Sequence, residues 1–228
     1  MQRVFDVVFS VLALVVLAPL LLCVSILLRF SGEGEVFFSQ DRVGQHGKIF
    51  KLFKFATMLK DSPYFGTGTV TIKHDPRILP IGGFLRRSKI NELPQLFNVL
   101  IGNMSLVGPR PQAKRCFNSF PMNLQSEIIK VKPGLSGVGS IIFRGEEDIL
   151  SGNAGSVEFY ENIISPYKGE VESWYVVHQD MPTYFLIIVI TVWVVLNPRS
   201  NLIWFALKDL PIPPSTLSKA LNYPLNKL

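Results

Sequence analysis

Val7 to Leu28 is an uncharged, almost wholly apolar run of 22 residues, and no other segment restricts the fold so strongly. Wound as an α-helix it measures about 33 Å, enough to cross the hydrocarbon of a bilayer. The run is long for a signal peptide and has no small-x-small cleavage site. Leu-Leu-Leu-Cys, ending at Cys23, also lacks the small residues of a lipoprotein site. Pro19 lies near the middle, where it removes a helical hydrogen bond and bends the axis. Arg3 stands before the run and Arg29 after it, and a basic domain follows. A straight span would put one of those cations on the disfavoured outer side. A helix bent at Ala18-Pro19 that enters and leaves by the same face satisfies both ends. An ordinary span is the alternative, since prolines are common in membrane helices.

With 228 residues the chain can hold one catalytic domain beside this anchor. Its net charge of +6 and pI near 9.4 admit anionic lipid, a phosphorylated substrate or nucleic acid as partners. No zinc-finger or RNA-recognition signature accompanies the charge, so no nucleic-acid partner is expected. Cys23 and Cys116 are too far apart in sequence and setting to form a disulfide framework, which fits a reducing compartment.

Residues 86–111 read Arg-Arg-Ser-Lys-Ile-Asn-Glu-Leu-Pro-Gln-Leu-Phe-Asn-Val-Leu-Ile-Gly-Asn-Met-Ser-Leu-Val-Gly-Pro-Arg-Pro. Leu93, Leu96, Phe97, Leu100 and Ile101 recur at helical spacing. Pro94 is tolerated only in a first turn, so the spacing predicts a helix with Asn91 as N-cap and Glu92 at its first position. Such an end, with open N–H donors and the positive pole of the helix dipole, suits phosphate. The plainer reading is that Asn91 only caps and Glu92 only complements the dipole.

The whole string resembles the bacterial sugar transferase family, the monotopic phosphoglycosyl transferases that begin polysaccharide and glycoconjugate assembly. The resemblance rests on Arg86, Asn91 to Gln95, Asn98 to Leu100, Gly102, Met104-Ser105 and Val107 to Pro111. Asp41-Arg42-Val43-Gly44, Phe53 to Met58, Asp75-Pro76-Arg77 and Lys132-Pro133-Gly134-Leu135-Ser136-Gly137 extend it, covering residues 1–140 well. Two departures stand out. The family's Asp-Glu dyad supplies a nucleophilic Asp, and this chain has Asn91 there. Behind Arg144, where relatives run on to a polar patch, it has Glu146-Glu147-Asp148.

The resemblance implies transfer of a sugar-1-phosphate from a nucleoside (uridine) diphosphate sugar to polyprenol (undecaprenyl) phosphate at the cytoplasmic face of the bacterial inner membrane. It implies a re-entrant N-terminal helix, Lys54 contacting a phosphate, and Mg²⁺ near the carboxylate of Glu92. Arg86, Arg110 and Arg144 are the expected substrate-binding cations, offsetting the repulsion of two phosphorylated substrates. Asn91 cannot form the covalent phosphosugar, because an amide is a poor nucleophile. Three readings stay open: direct attack by the lipid phosphate assisted by Glu92, a substitute carboxylate among Glu146, Glu147 and Asp148, or an inactive scaffold that binds lipid or recruits glycosyltransferases. Expected partners are the sugar donor, polyprenol phosphate and membrane lipid, with downstream glycosyltransferases and a second copy of the chain as further ones.

The remaining segments are read locally. Val36–Gln40 and Lys48–Met58 read as strands about a Gly44–Gly47 turn, with Lys48, Lys51 and Lys54 lining either a headgroup-facing surface or a strand edge. Residues 61–71 read as a loop, and a lone His74 is not expected to ligate metal. Residues 125–132 read as a helix, and Pro182–Leu196 as a core or interfacial one. Trp174, Tyr175, Trp193 and Trp204 would suit an interfacial belt. The fold expected is α/β, α-rich with a small β hairpin or sheet, in a monotopic membrane protein. It divides into an anchor at 1–31, a catalytic domain at 32–180 and an apolar helix with tail at 181–228.

Overall fold

A computed structural model describes residues 1–64, 75–152 and 157–224, so Lys73, His74 and most of the 61–71 loop lie outside the described residues. The apolar run forms helix α1, Gln2–Arg29, which continues through Pro19. It is the one helix among the described residues long and apolar enough to cross a membrane. Most of its surface is exposed, including Val8, Leu12, Val15, Val16 and Leu22. Its two ends are not. Near the start, Arg3 donates to the carbonyls of Val99 and Leu100, the latter at 2.7 Å. Asp6 is buried, and its Oδ1 accepts from the Ser105 hydroxyl, the Leu106 N–H and the Tyr184 hydroxyl at 3.0, 3.0 and 2.9 Å. At the far end Val24 and Leu28 pack with Phe55 and Leu85. One folded body therefore holds both ends of a helix about 42 Å long.

Strands β1 (Phe37–Val43) and β2 (Ile49–Phe55) form an antiparallel hairpin around a tight turn in which His46 and Gly47 have positive φ. Lys51 points out to Asp41 at 2.9 Å, whereas Lys54 turns in toward Glu92. Three-residue spacing puts side chains on opposite faces of a strand, so these lysines do not share the single surface the sequence suggested. Helices α2 (Gly82–Arg87) and α3 (Gln95–Ile101) follow. Strand β3 (Ser105–Val107) then pairs in parallel with β4 (Gly134–Ser136), and the connection carries α4 (Lys114–Asn118) and α5 (Met122–Ile128). Beyond β4 lie α6 (Val138–Ile142), α7 (Glu146–Gly152), α8 (Val157–Phe159), α9 (Ser165–Val177) and α10 (Met181–Leu196). The architecture is α/β and helix-rich, with two small sheets among the described residues.

The apolar residues expected to share one face of α3 are divided between its inner and outer sides. Phe97 and Ile101 are exposed, while Gln95 and Asn98 are buried beside Leu96 and Val99. Asn98 turns inward because its amide accepts the Phe53 N–H at 2.9 Å and donates to the Lys51 carbonyl at 2.7 Å, completing the edge of the hairpin. Helix α10 is likewise two-sided, with Tyr184, Ile187, Ile190 and Val194 inside and Val189, Val192 and Leu196 outside. Trp174, Tyr175 and Trp204 are core residues, and only Trp193 of the expected aromatic belt is exposed. The reason is local: Trp174 stacks on His178 at 4.2 Å, and Trp204 donates its indole N–H to the Leu221 carbonyl.

The Asp6 contacts generate a prediction. Asp6→Ala removes one acceptor from three donors and should cost on the order of 3 kcal/mol. Thermal unfolding in detergent should show this loss, and an unchanged midpoint would contradict the docking of α1.

Candidate active site

The site begins at a reversal of the chain. Lys89 adopts a left-handed backbone (φ 62°), and a single 3₁₀ turn, Ile90–Glu92, buries Asn91 and Glu92. The Glu92 and Leu93 amides close that turn on Lys89 and Ile90 at 3.0 and 3.1 Å. Helix α3 starts only at Gln95, after Pro94, with no side-chain cap. Asn91 is therefore not the N-cap the spacing predicted. The tight turn engages the Glu92 and Leu93 amides, and the cationic side chains around it supply anion-binding capacity.

Arg110 grips Glu92 with both terminal nitrogens, at 2.8 and 3.4 Å, and the Lys54 ammonium stands 3.8 Å from the same carboxylate. Burial alone would raise the Glu92 pKa, but Arg110, Lys54 and Lys89 override it and hold the carboxyl well below its usual range. The Glu92 charge raises Arg110 in return. Burial pushes the Lys54 ammonium down to about 7, and lowers Arg144 and Lys89 too.

Two motifs far apart in sequence combine to aim Arg110. Gly108 donates to the Ser136 carbonyl at 2.9 Å, and Gly134 donates to the Pro109 carbonyl at 2.8 Å. The backbones come so close that a Cβ on Gly134 would lie 2.1 Å from the Gly108 nitrogen, and one on Gly137 would lie 2.1 Å from the Gly108 oxygen. Behind them the buried Glu172 of α9 accepts the Arg110 N–H at 3.1 Å. Gly139 leaves space for that carboxyl, since a Cβ there would meet it at 2.2 Å. Burial raises the Glu172 pKa to about 7.

The acidic triplet meets this cluster from the other side. Arg86 pairs with Glu147, and Lys168, buried on α9, pairs with Glu146 at 2.8 and 2.9 Å. Lys168 also lies 5.4 Å from the centre of the Phe143 ring. A cavity of about 1480 Å³ is lined by Lys54, Arg86, Asn91, Glu92 and Arg110, and also by Arg144, Glu146, Glu147 and Asp148. All nine residues singled out from sequence thus share one cavity. Its far wall is apolar, from Phe9 of α1 and Ile188, Val192 and Val195 of α10. Sequence reasoning missed Lys168 and Glu172: spaced i, i+4, they look like an exposed helical ion pair, and the structure buries both. Among the described residues no three His, Cys, Asp or Glu side chains gather to hold a metal. Glu92 is the carboxylate that Arg110 and Lys54 face, and one such ligand fits a metal taking most of its others from a bound diphosphate and water.

Glu172 sets a pH dependence. A carboxyl raised from 4.5 to about 7 keeps its proton when folded while the unfolded chain loses it, so its stabilising contribution is full below pH 4.5 and fades as pH rises through 7. Glu172→Gln, which cannot ionise, should flatten the fall in melting temperature over that window. An unaltered slope would contradict the assignment.

Comparison with known proteins identifies the family. Residues 1–198 match the family model described as bacterial sugar transferase. The chain is 38% identical over 162 residues to the UDP-glucose:undecaprenyl-phosphate glucose-1-phosphate transferase of Escherichia coli (strain K12), covering 70% of this chain and 35% of that protein. It is 47% identical over 113 residues to the exopolysaccharide production protein PSS of Rhizobium leguminosarum bv. phaseoli, covering 50% of this chain and 56% of the relative. It is 32% identical over 175 residues to the exopolysaccharide production protein ExoY of Sinorhizobium fredii, covering 71% and 77%. The chain spans about a third of the length of the Escherichia coli relative. A family match over residues 1–198, which takes in every residue of the cavity wall named above, shows that the chain belongs to the bacterial sugar transferase family.

Proposed function

We propose that the chain transfers a sugar-1-phosphate from a uridine diphosphate sugar to polyprenol phosphate at the cytoplasmic face of a bacterial inner membrane, the priming step of exopolysaccharide or lipopolysaccharide synthesis. The observation that carries this reading is the cavity itself, in which cations that include Lys54, Arg86, Lys89, Arg110 and Arg144 share the lining with apolar residues of α1 and α10. Such a site suits a water-soluble diphosphate and a lipid phosphate meeting at headgroup level. Names of relatives support the substrates, as in the Escherichia coli protein and an undecaprenyl-phosphate glucose phosphotransferase of Komagataeibacter xylinus.

Re-entry of α1 is part of the proposal. A helix tied at Asp6 and at Leu28 to one body cannot carry those ends to opposite faces of a membrane without dragging the domain with it. The exposed apolar residues of α1, α10 and the outer face of α3 then lie in lipid.

In the transfer step, an oxygen of the polyprenol phosphate attacks the sugar-bearing phosphorus of the donor. The bridging P–O bond to the nucleoside phosphate breaks, its electrons leave with UMP, and the product is a polyprenyl diphosphate sugar. Arg86, Arg110, Arg144 and Lys54 offset the charge of the two phosphates and of the leaving group. Glu92 fixes Arg110 in a forked, planar grip, so the guanidinium is oriented before substrate arrives. Mg²⁺, held by Glu92 and the donor diphosphate, would add Lewis-acid stabilisation of that charge. Asn91 contributes hydrogen bonding and no covalent bond.

A second reading has Glu147 as nucleophile. It is favoured by exposure: the Glu147 side chain is 46% exposed beside the same cavity, whereas Glu146 is held by the buried Lys168. Kinetics separate the two. With detergent-solubilised protein, Mg²⁺ and UDP-sugars, direct transfer predicts that UMP appears only when polyprenol phosphate is present. A burst of UMP without lipid, abolished in Glu147→Gln, would favour the covalent route. Glu92→Gln and Arg110→Ala should each lower kcat/KM by about a hundredfold or more. Silence of the wild type with every donor would overturn the enzymatic reading and leave a scaffold that binds lipid or partner glycosyltransferases.

A further inference from the structure

The cavity has a side chamber of about 200 Å³ beside the hairpin, α2 and the start of α7. Its lining contains four buried polar atoms with no hydrogen-bond partner among the described residues: Arg42 Nε, Arg86 Nε, Gln112 Nε2 and Asn91 Oδ1. Asn91 and Gln112 are only 4% and 7% exposed. Folded proteins seldom leave such atoms unanswered, and four around one small space point to a ligand.

The chemistry of the four narrows the ligand. Three are donors that an anionic oxygen would satisfy. The fourth, Asn91 Oδ1, is an acceptor and requires an O–H or N–H, which a bare phosphate dianion does not offer. Ring hydroxyls of a sugar both donate and accept. Size agrees: the chamber has room for about seven waters at liquid density, yet falls below the roughly 300 Å³ at which pockets for larger ligands begin. Five cations and two carboxylates line it, so a sugar carrying a phosphate also meets a favourable charge balance. Three of those cations, Arg86, Lys168 and Arg110, already pair with Glu147, Glu146 and Glu92, which leaves Arg42, and Lys54 with its longer 3.8 Å approach to Glu92, nearest to offering charge. Gln112 is held in place by its backbone, whose carbonyl accepts the Val43 N–H at 3.0 Å.

We propose that this chamber seats the phosphosugar half of the donor, with Asn91 and Gln112 hydrogen-bonding ring hydroxyls while Arg42, Lys54 and Arg86 face its phosphate. The nucleoside half stays in the larger cavity beyond Arg110. In this arrangement the amide at position 91 has a use of its own: it reads the sugar, where a carboxylate would attack the phosphorus. Gln112 and Asn91 become determinants of which sugar is accepted. The inference rests on the transferase reading and deepens it.

Binding tests it without turnover. The full chain in detergent micelles is titrated calorimetrically with glucose 1-phosphate, N-acetylgalactosamine 1-phosphate, inorganic phosphate and UMP. At least one of the two sugar phosphates should bind tenfold or more tightly than inorganic phosphate. Gln112→Leu, close in volume and without the amide, should weaken that sugar phosphate at least tenfold and leave UMP within twofold. Retained UMP binding also shows that the variant is folded. Two outcomes would overturn the proposal: neither sugar phosphate exceeding inorganic phosphate, or Gln112→Leu leaving sugar-phosphate affinity unchanged. Failure of the transferase reading is a separate result, namely no lipid-dependent UMP release by the wild type from any donor, since these titrations require no catalysis.

Discussion

The pair between buried Glu92 and half-buried Arg110 organises the protein. It joins a tight turn at Ile90–Glu92 to the Gly108–Pro111 loop, and neither segment has enough regular structure to hold a charge in place by itself. A buried ion pair gains nothing unless its geometry is good and its remaining polar atoms are served. The fold meets that condition on every side. Lys54 approaches the carboxylate from β2, Glu172 takes the Arg110 backbone N–H from α9, and the Gly108 backbone lies against Gly134 and Gly137. Removing any one of these supports leaves a charge or a donor without its partner in a place that water reaches poorly.

The second constraint is an inversion of the usual logic of burial, which the proposed membrane setting explains. On α3 the polar Gln95 and Asn98 face inward, while Phe97 and Ile101 face outward. On α1 the inward residues include Asp6 and Ser10, and valines and leucines cover the outside. Asn98 and Asp6 serve as interior fasteners because each finds partners there, Asp6 with three donors. The exposed apolar side chains are the ones the proposed membrane setting would place in lipid. The same arrangement sets the charged lining of the cavity next to apolar residues of α1 and α10, which suits the proposed reaction between a soluble and a lipid phosphate.

Much of the site was legible in the sequence because it is written as motifs. The hairpin followed from alternation around a Gly-rich turn, and the cations and carboxylates of the cavity followed from the strings around Glu92, Arg110 and Arg144. What was not legible depends on long-range packing. The stripe of Leu93, Leu96, Phe97, Leu100 and Ile101 has helical spacing, but spacing cannot say whether the apolar side faces a core or a bilayer. Asn91 looked like a helix cap because Pro94 marks a helix start; the left-handed Lys89 that replaces the cap with a separate turn has no sequence signature. Lys168 and Glu172 resemble a solvated helical pair, and only the fold shows them buried against Glu146 and Arg110. Gly139 is explained by Glu172, 33 positions away in the chain, and no local pattern connects them.

The central claim is that a site with Asn91 in place of a carboxylate transfers the phosphosugar in one displacement. The stereochemical course at the transferred phosphorus tests this most directly, using a donor made chiral there with sulfur and oxygen isotopes. One in-line attack by the lipid phosphate predicts inversion of configuration. Retention would mean two successive displacements through a covalent phosphosugar on the protein, and would contradict the account.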